Sequence, residues 1–267
     1  IRIGENAGNA YVDVDKNVHI GRNAGFYGSG NNSISIGYQA GSYASGIDMT
    51  NVGHKAGFRS WPSLRLSNYG SNAGHLSSGC SYGVFGGYAA GYNARNCDYS
   101  VFLGSEAGYD AGGPEASGLS NSVVIGREAG KEAQGTRNLM VGQAAGFSAS
   151  GTDNLYIGVS AGSGVSGVSN LEFTNATTSL LPNHTPTSNK LNINEMIVGD
   201  KSTKRLAIGN VDATHLSPNS TLEIVANGTD VALFVSGVVK VSGEALFESD
   251  ITASGDIISR SDIVGER

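Results

Sequence analysis

Short triplets of apolar, variable and apolar residues recur along the first 160 positions, and each is followed by glycine. Examples are Val18-His19-Ile20-Gly21, Ile34-Ser35-Ile36-Gly37 and Val123-Val124-Ile125-Gly126. Residues two apart lie on the same face of a strand, and β-branched side chains favour the extended backbone. The pattern therefore predicts a short strand that ends at a glycine turn in each repeat.

Each triplet leads into the pentapeptide G-x-x-A-G, which occurs ten times. The first glycines of the copies are 16 or 17 residues apart, except for one step of 22 residues between Gly104 and Gly126. Such regular spacing is typical of a structural repeat. The ten copies begin at Gly4, Gly21, Gly37, Gly53, Gly70, Gly87, Gly104, Gly126, Gly142 and Gly158.

This period is too short for two packed helices, and the chain shows no helical 3.6-residue periodicity. One coil of a parallel β-solenoid fits the period, because each strand then stacks on its equivalent in the next coil about 4.8 Å away. The fold class predicted is therefore all-β, with a parallel β-roll of about ten coils. A coil this small buries little on its own, so we expect three chains to associate through their Ile/Val faces.

At Tyr69-Gly70 and Gly86-Gly87 an apolar residue does not precede the glycine. We therefore expect coils five and six to be irregular.

The repeat covers residues 1–162, and the rest of the chain divides into three parts. Residues 163–189 are rich in Asn and Thr and are predicted to be a linker or collar. Residues 190–230 contain short apolar runs between turns and are predicted to be a small β region. In residues 231–267, the positions of one parity from Val235 to Ile257 are mostly apolar or small, and the charged residues of that stretch fall on the other parity. This alternation predicts an extended segment that intertwines with two symmetry mates as a β fibre.

Composition excludes several function classes. The 267 residues include 40 glycines and carry a net charge of −6 without a basic run, which argues against nucleic-acid binding. The apolar runs are far shorter than the roughly 20 residues that a bilayer requires, so we expect no membrane insertion.

No motif indicates catalysis, a metal site or a cofactor. The five histidines lack metal-ligand spacing and are expected to lie on the solvated surface. Acidic residues cluster around the 22-residue step between Gly104 and Gly126. They allow an alternative function, in which a pair of carboxylates cleaves polysaccharide. The insert within that step is more simply interpreted as a loop extension. The acidic residues concerned are Glu106, Asp110, Glu115 and Glu128.

The two cysteines, Cys80 and Cys97, are 17 residues apart and lie at equivalent positions of neighbouring repeats. A coil spacing of about 4.8 Å would bring them within reach of a disulfide. In a reducing cytosol a pair of free thiols is the more frequent state, and we favour it here.

The strand sequences resemble two known groups of proteins. Asn17-Val-His-Ile-Gly21 and Asn121-Ser-Val-Val-Ile-Gly126 are similar to the head repeats of trimeric autotransporter adhesins. Long arrays of Ile-Gly-x-x-Ala-Gly resemble tail-fibre and appendage proteins of tailed phages. This resemblance covers about residues 1–162 and implies a trimeric, left-handed parallel β-roll. The segments Leu206–Gly209 and Leu216–Ile224 resemble the C-terminal region of phage tail fibres, which favours the viral interpretation.

The expected function is that of a non-catalytic structural fibre or adhesin protein of a phage tail or virion appendage, acting in host-cell attachment. Its expected partners are two further copies of the chain, other virion tail or baseplate proteins, and a host surface glycan or protein. The alternatives are a bacterial trimeric autotransporter-type adhesin on the cell surface and a polysaccharide-cleaving tailspike. Exposed aromatic rings in the outward half of the coil are the candidate receptor contacts, either stacking on sugars or packing between coils or chains. They are Trp61, Tyr27, Tyr43, Tyr92 and Tyr109.

Overall fold

The structure is a computed structural model that describes residues 1–9, 16–61, 63–112, 118–174, 188–194, 197–200, 205–209 and 222–225. Throughout those ranges the regular elements are β-strands, and no helix occurs. Contacts divide the chain into two units, residues 1–232 and 233–267. The second unit, and with it the fibre predicted for residues 231–267, lies outside the described residues.

The described part is dominated by a 15-stranded sheet. Its strands are β1 (Arg2–Ile3), β2 (Val18–Ile20), β3 (Ile34–Ile36), β5 (Thr50–Val52), β7 (Ser67–Tyr69), β8 (Val84–Gly86), β9 (Val101–Leu103), β11 (Val123–Ile125), β13 (Leu139–Val141), β14 (Leu155–Ile157), β15 (Leu171–Phe173), β16 (Lys190–Ile193), β17 (Ile197–Asp200), β18 (Arg205–Gly209) and β19 (Leu222–Val225). From β1 to β16 the strands are parallel, and each pairs with the equivalent strand of the next coil. Strand β17 pairs antiparallel with both β16 and β18, and β19 is parallel to β18.

A second, shorter set of parallel pairings runs along another side of the coils. Strands β4 (Gly46–Ile47) and β6 (Ser63–Leu64) form one pair, and β10 (Leu119–Ser120) and β12 (Gly135–Thr136) form the other. Isolated bridges such as Ser29 to Ser45 extend this side to neighbouring coils. The all-β class and the parallel β-solenoid of about ten coils are thereby confirmed. The trimer, the collar and the fibre stay predictions.

The parallel stack continues beyond the last G-x-x-A-G motif. Strand β15 lies within the stretch predicted to be a linker or collar, 163–189, yet it pairs in parallel with β14, and β16 pairs in parallel with β15. These strands keep the alternation of the coils, since Glu172 and Asn192 take the buried middle position. Parallel strand pairing therefore continues past the last glycine motif, because it depends on the backbone of the preceding strand.

The interior of each coil is filled by the middle residue of its strand. These residues face inward and are almost fully buried, whereas the apolar residues on either side of them face outward. Phe85 and Phe102 stack with their ring centroids 4.9 Å apart, and Asn68 donates a 2.7 Å hydrogen bond to Asn51. The buried middle residues are His19, Ser35, Asn51, Asn68, Phe85, Phe102, Val124, Met140, Tyr156, Glu172 and Asn192.

Both glycines and the alanine of the motif have packing roles. At Gly104, where φ is +136°, a Cβ atom would lie 2.4 Å from the carbonyl oxygen of Gly126 in the next coil. At Gly108 a Cβ atom would lie 2.5 Å from the inward ring of Phe102. The alanine between them, Ala107, is fully buried. The motif therefore fits a thin coil because two of its positions have no room for a side chain.

Coils five and six are regular, so the prediction that they are irregular is wrong. Strands β7, β8 and β9 keep a continuous parallel register that aligns Tyr69, Gly86 and Leu103. These three residues occupy the outward third position of their strands. Closure of the coil does not depend on the side chain at that position, so an unusual residue there leaves the backbone unchanged.

Cys80 and Cys97 form a disulfide between neighbouring coils, with their Cα atoms 4.5 Å apart. The preference for free thiols is therefore wrong, whereas the predicted proximity is confirmed. Both side chains are fully buried in the coil interior. The bond joins coils five and six covalently inside the stack.

Among the described residues, no helix has the length and apolar character needed to cross a membrane.

Candidate functional sites on the outer surface

The outward positions of the main sheet form a continuous uncharged surface. We call the first and third residues of strands β2, β3, β5, β7, β8, β9, β11, β13, β14 and β15, together with Leu191 and Ile193 of β16, the outward strand face. None of these residues carries a charge, and all are at least partly exposed; Ile125, for example, is 38% exposed. Exposed apolar surface of this extent is typical of a protein–protein interface.

Four of the five candidate receptor-contact residues belong to a stack of rings on a different side of the coil. The residue after the second glycine of the motif, or the one following it, places an aromatic ring over the ring of the next coil. Tyr92 lies 4.8 Å from His75 and 4.9 Å from Tyr109, and the ring planes are within 7° of parallel. The stack contains Phe26, Tyr27, Tyr43, Phe58, His75, Tyr92 and Tyr109.

This stacking decides which parts of the rings a ligand can reach. The ring of Tyr92 is covered on both faces, and the ammonium group of Lys131 lies 5.0 Å from the ring centroid of Tyr109. Tyr92 and Tyr109 therefore offer ring edges and hydroxyl groups rather than flat faces. Tyr27 and Tyr43 are more exposed but also stack on each other at 5.5 Å.

Trp61 lies outside the stack. It is 64% exposed, more than any other aromatic residue among those the structure describes. Its neighbour Pro62 is outside the described residues.

His75 is held neutral within the stack. Its Nδ1 atom is buried without a hydrogen-bond partner among the described residues. Burial first, and then the charges of Lys55, Arg59 and His54, lower the pKa of His75 to about 4. Protonation of His75 would therefore place a further charge in a partly buried, already positive environment.

We predict that the solenoid loses stability as the pH falls from about 6.5 to about 4, in part because of His75. A lowered pKa in the folded state means that the unfolded chain binds the proton more strongly, so stability is present above pH 6.5 and lost below it. The His75→Tyr variant keeps an aromatic ring in the stack, like the tyrosine at position 92, but it has no imidazole that takes up a proton in this pH range. Because water screens the half-exposed ring, we expect the variant to recover roughly 1–2 kcal/mol of the stability lost at low pH.

Urea unfolding of both proteins at pH 7.5 and at about pH 4 measures this difference. His19 is present in both proteins, so its contribution to the pH dependence of stability is the same in each and cancels from the comparison. An equal loss of stability in wild type and His75→Tyr would contradict the assignment.

The expectation that the histidines are solvated is wrong for His19. His19 is 1% exposed and fills the interior of its coil beneath Gly25. Burial, with a smaller effect of Arg2 and the N-terminus, lowers the pKa of His19 to about 4. His54 is exposed and stacks on Tyr38, whereas His184 and His215 lie outside the described residues.

The acidic residues of the alternative glycosidase hypothesis have basic or amide partners. Glu106 accepts a 2.7 Å hydrogen bond from the ammonium of Lys131, and Asp110 accepts one of the same length from the amide of Asn93. Glu128 lies 3.9 Å from Arg127, and Glu115 is outside the described residues. Within the described ranges, no group of three His, Cys, Asp or Glu side chains could hold a metal ion.

A groove of about 580 Å³ runs beside the ring stack, and we call it the Ala89 groove. Tyr88 lies on one side of Ala89 in the sequence and Tyr92 on the other. Lys55 lines the groove from an earlier coil, and the Glu106–Lys131 ion pair lines it from later ones. No single copy of the repeat indicates this groove. An alignment of the ten repeats gives the signal for it, since most copies have a longer side chain at the position of Ala89.

No protein-family model, curated protein or solved structure matches this chain significantly.

Proposed function

We propose that this protein is a non-catalytic structural fibre or adhesin component of a phage tail or virion appendage, which acts as a homotrimer in host-cell attachment. The observation that carries the proposal is the outward strand face. It is apolar or neutral over eleven successive strands, while the residues that fill each coil are already packed inside. A face with this composition fits burial against identical faces of two further chains.

The regular stack also suits a mechanical role. Each coil repeats the same outward positions, so a trimer would present every surface feature three times and again in successive coils. Weak contacts then add through avidity without any catalytic residue. The viral assignment, with tail or baseplate proteins as further partners, depends on the resemblance of the Ile-Gly-x-x-Ala-Gly repeats to phage appendage proteins.

One observation favours the second candidate, a bacterial trimeric autotransporter-type adhesin on the cell surface. Disulfides form and persist in oxidising compartments, and the Cys80–Cys97 bond lies wholly inside the stack. An exported protein passes through such a compartment before it folds. The sequence flanking this chain would discriminate between the candidates, since an adhesin requires an export signal and a membrane anchor.

Sedimentation equilibrium of the full chain tests the assembly on which both candidates depend. We expect a single species with three times the mass of the chain, without monomer at micromolar concentration. A monodisperse monomer would contradict the proposal, and a stable dimer would contradict the threefold arrangement.

A further inference from the structure

The Ala89 groove lies at a coil that has a short side chain where most other copies of the motif have a longer one. The third residue of the motif is polar or charged in most copies, for example Gln39, Lys55 and Glu106. Ala89 takes the same left-handed backbone conformation as those residues, with φ near +52°. Ala89 is buried and lines the groove together with Tyr88 and Tyr92.

The groove offers one aromatic ring that the stack does not cover. Tyr88 is 56% exposed, and its ring makes no ring–ring contact within the described part of the chain. A tyrosine ring combines an apolar body with a polar hydroxyl, which suits a ligand that has both C–H and O–H groups. Tyr92 and Tyr109 also line the groove and offer their ring edges, because their faces are covered.

Charge distinguishes this groove from the rest of an acidic chain. Lys131 is paired with Glu106, but Lys55 makes no ion pair with any described residue. The lining therefore has two cations against one carboxylate, although the chain as a whole carries −6. An ammonium group without an internal partner can form a charge-assisted hydrogen bond with an anionic ligand.

We propose that the Ala89 groove binds a carboxylated sugar unit of a surface glycan. The ring of Tyr88 contacts the apolar face of the sugar, Lys55 binds its carboxylate, and Asn72 and the Glu106 carboxylate hydrogen-bond to its hydroxyl groups. This inference rests on the proposed attachment function and names the chemistry of the receptor. The residues that contact the receptor glycan are then Tyr88, through its ring face, and Tyr92 and Tyr109, through their ring edges.

The test uses the full chain and short oligosaccharides that contain glucuronic acid or N-acetylneuraminic acid, each compared with its carboxyl-reduced form. We expect single-site dissociation constants of about 1 mM for the acidic probes and at least about tenfold weaker binding of the reduced ones. Ala89→Gln fills the groove with the side chain that Gln39 places in the same row, and it should abolish binding. Ala144→Gln makes the same change at an equivalent left-handed position that does not line the groove, and it should bind like wild type.

Lys55→Gln separates the role of the charge from that of shape. We expect it to weaken binding of the acidic probes about tenfold and to leave binding of the reduced probes unchanged. Equal binding of acidic and reduced probes would overturn the assignment of a carboxylated sugar. Unchanged binding by Ala89→Gln, or no binding of any probe by wild type, would overturn the groove as the site.

These failures are distinguishable from failure of the proposed function. Sedimentation measures the trimer without any glycan, and fluorescently labelled protein measures attachment to bacterial cells. An Ala89→Gln trimer that attaches to cells as well as wild type does would contradict the groove and leave the attachment function standing.

Discussion

Gly87→Ala should destabilise the solenoid by about 3–5 kcal/mol, whereas Gly86→Ala, one residue earlier, should change its stability by less than about 1 kcal/mol. Gly87 has φ +126°, and a Cβ atom there would lie 2.4 Å from the carbonyl oxygen of Gly104. That carbonyl belongs to the backbone of the next coil and cannot move without separating the two strands. A Cβ atom at Gly86 would approach only the Cδ2 atom of Leu103, at 2.9 Å, and a leucine side chain can rotate away.

Urea unfolding of the two variants, followed by circular dichroism, measures both free energies. The two substitutions are chemically identical and adjacent, so their effects on the unfolded chain are nearly the same. The comparison therefore isolates the contact between coils. Equal destabilisation by Gly86→Ala and Gly87→Ala would show that the first glycine of the motif is not required by coil stacking.

Ile125→Glu should dissociate the proposed trimer. Ile125 lies on the outward strand face, and three copies of it would lie close to a common axis. Burying three carboxylates against apolar surface costs several kcal/mol for each, and their mutual repulsion adds to this cost. We expect association to weaken by at least about a thousandfold, which corresponds to about 4 kcal/mol.

Gln143→Glu is the matched control, because Gln143 is exposed at the second position of a motif and lies off the outward strand face. Sedimentation at equal concentrations should show a trimer for Gln143→Glu and smaller species for Ile125→Glu. Circular dichroism of Ile125→Glu checks that its coils are retained. A folded Ile125→Glu trimer would exclude this face as the interface.

The sequence predicts the coil well because its signal is repeated. A glycine such as Gly104 or Gly126 is required in every copy by the same contact with the next coil, so the period is visible without a structure. The triplets also locate the strands, as for Val123–Ile125. The break in the pattern at Gly86 does not disturb the coil, since the outward third position of a strand has little influence on coil closure.

The interior was not predictable in the same way. A triplet such as Val18-His19-Ile20 has the pattern of an apolar strand with one solvated polar residue, yet the histidine is the buried member. Ordinary binary patterning assumes that apolar residues face the core of their own chain. Here the coil is so thin that its interior holds the middle side chain of the strand and small residues such as Ala107, and the apolar neighbours of the middle residue are directed outward.

The candidate site, too, is predictable from the sequence only in part. The tyrosines after the motifs were identified from the sequence as outward-facing residues. Their stacking, the covered ring faces of Tyr92 and the groove over Ala89 depend on which residues the coil spacing brings together across 17 positions.

The sequence by itself determined the repeat, the parallel coil and the proximity of Cys80 to Cys97, because these follow from a period and a strand spacing that every repeat shares. Only the tertiary structure decided which side chain of each strand is buried, that the cysteines are bonded and where the outer surface is concave. Those properties depend on side-chain volume and direction in neighbouring coils, where residues 16 or 17 positions apart in the chain come into contact.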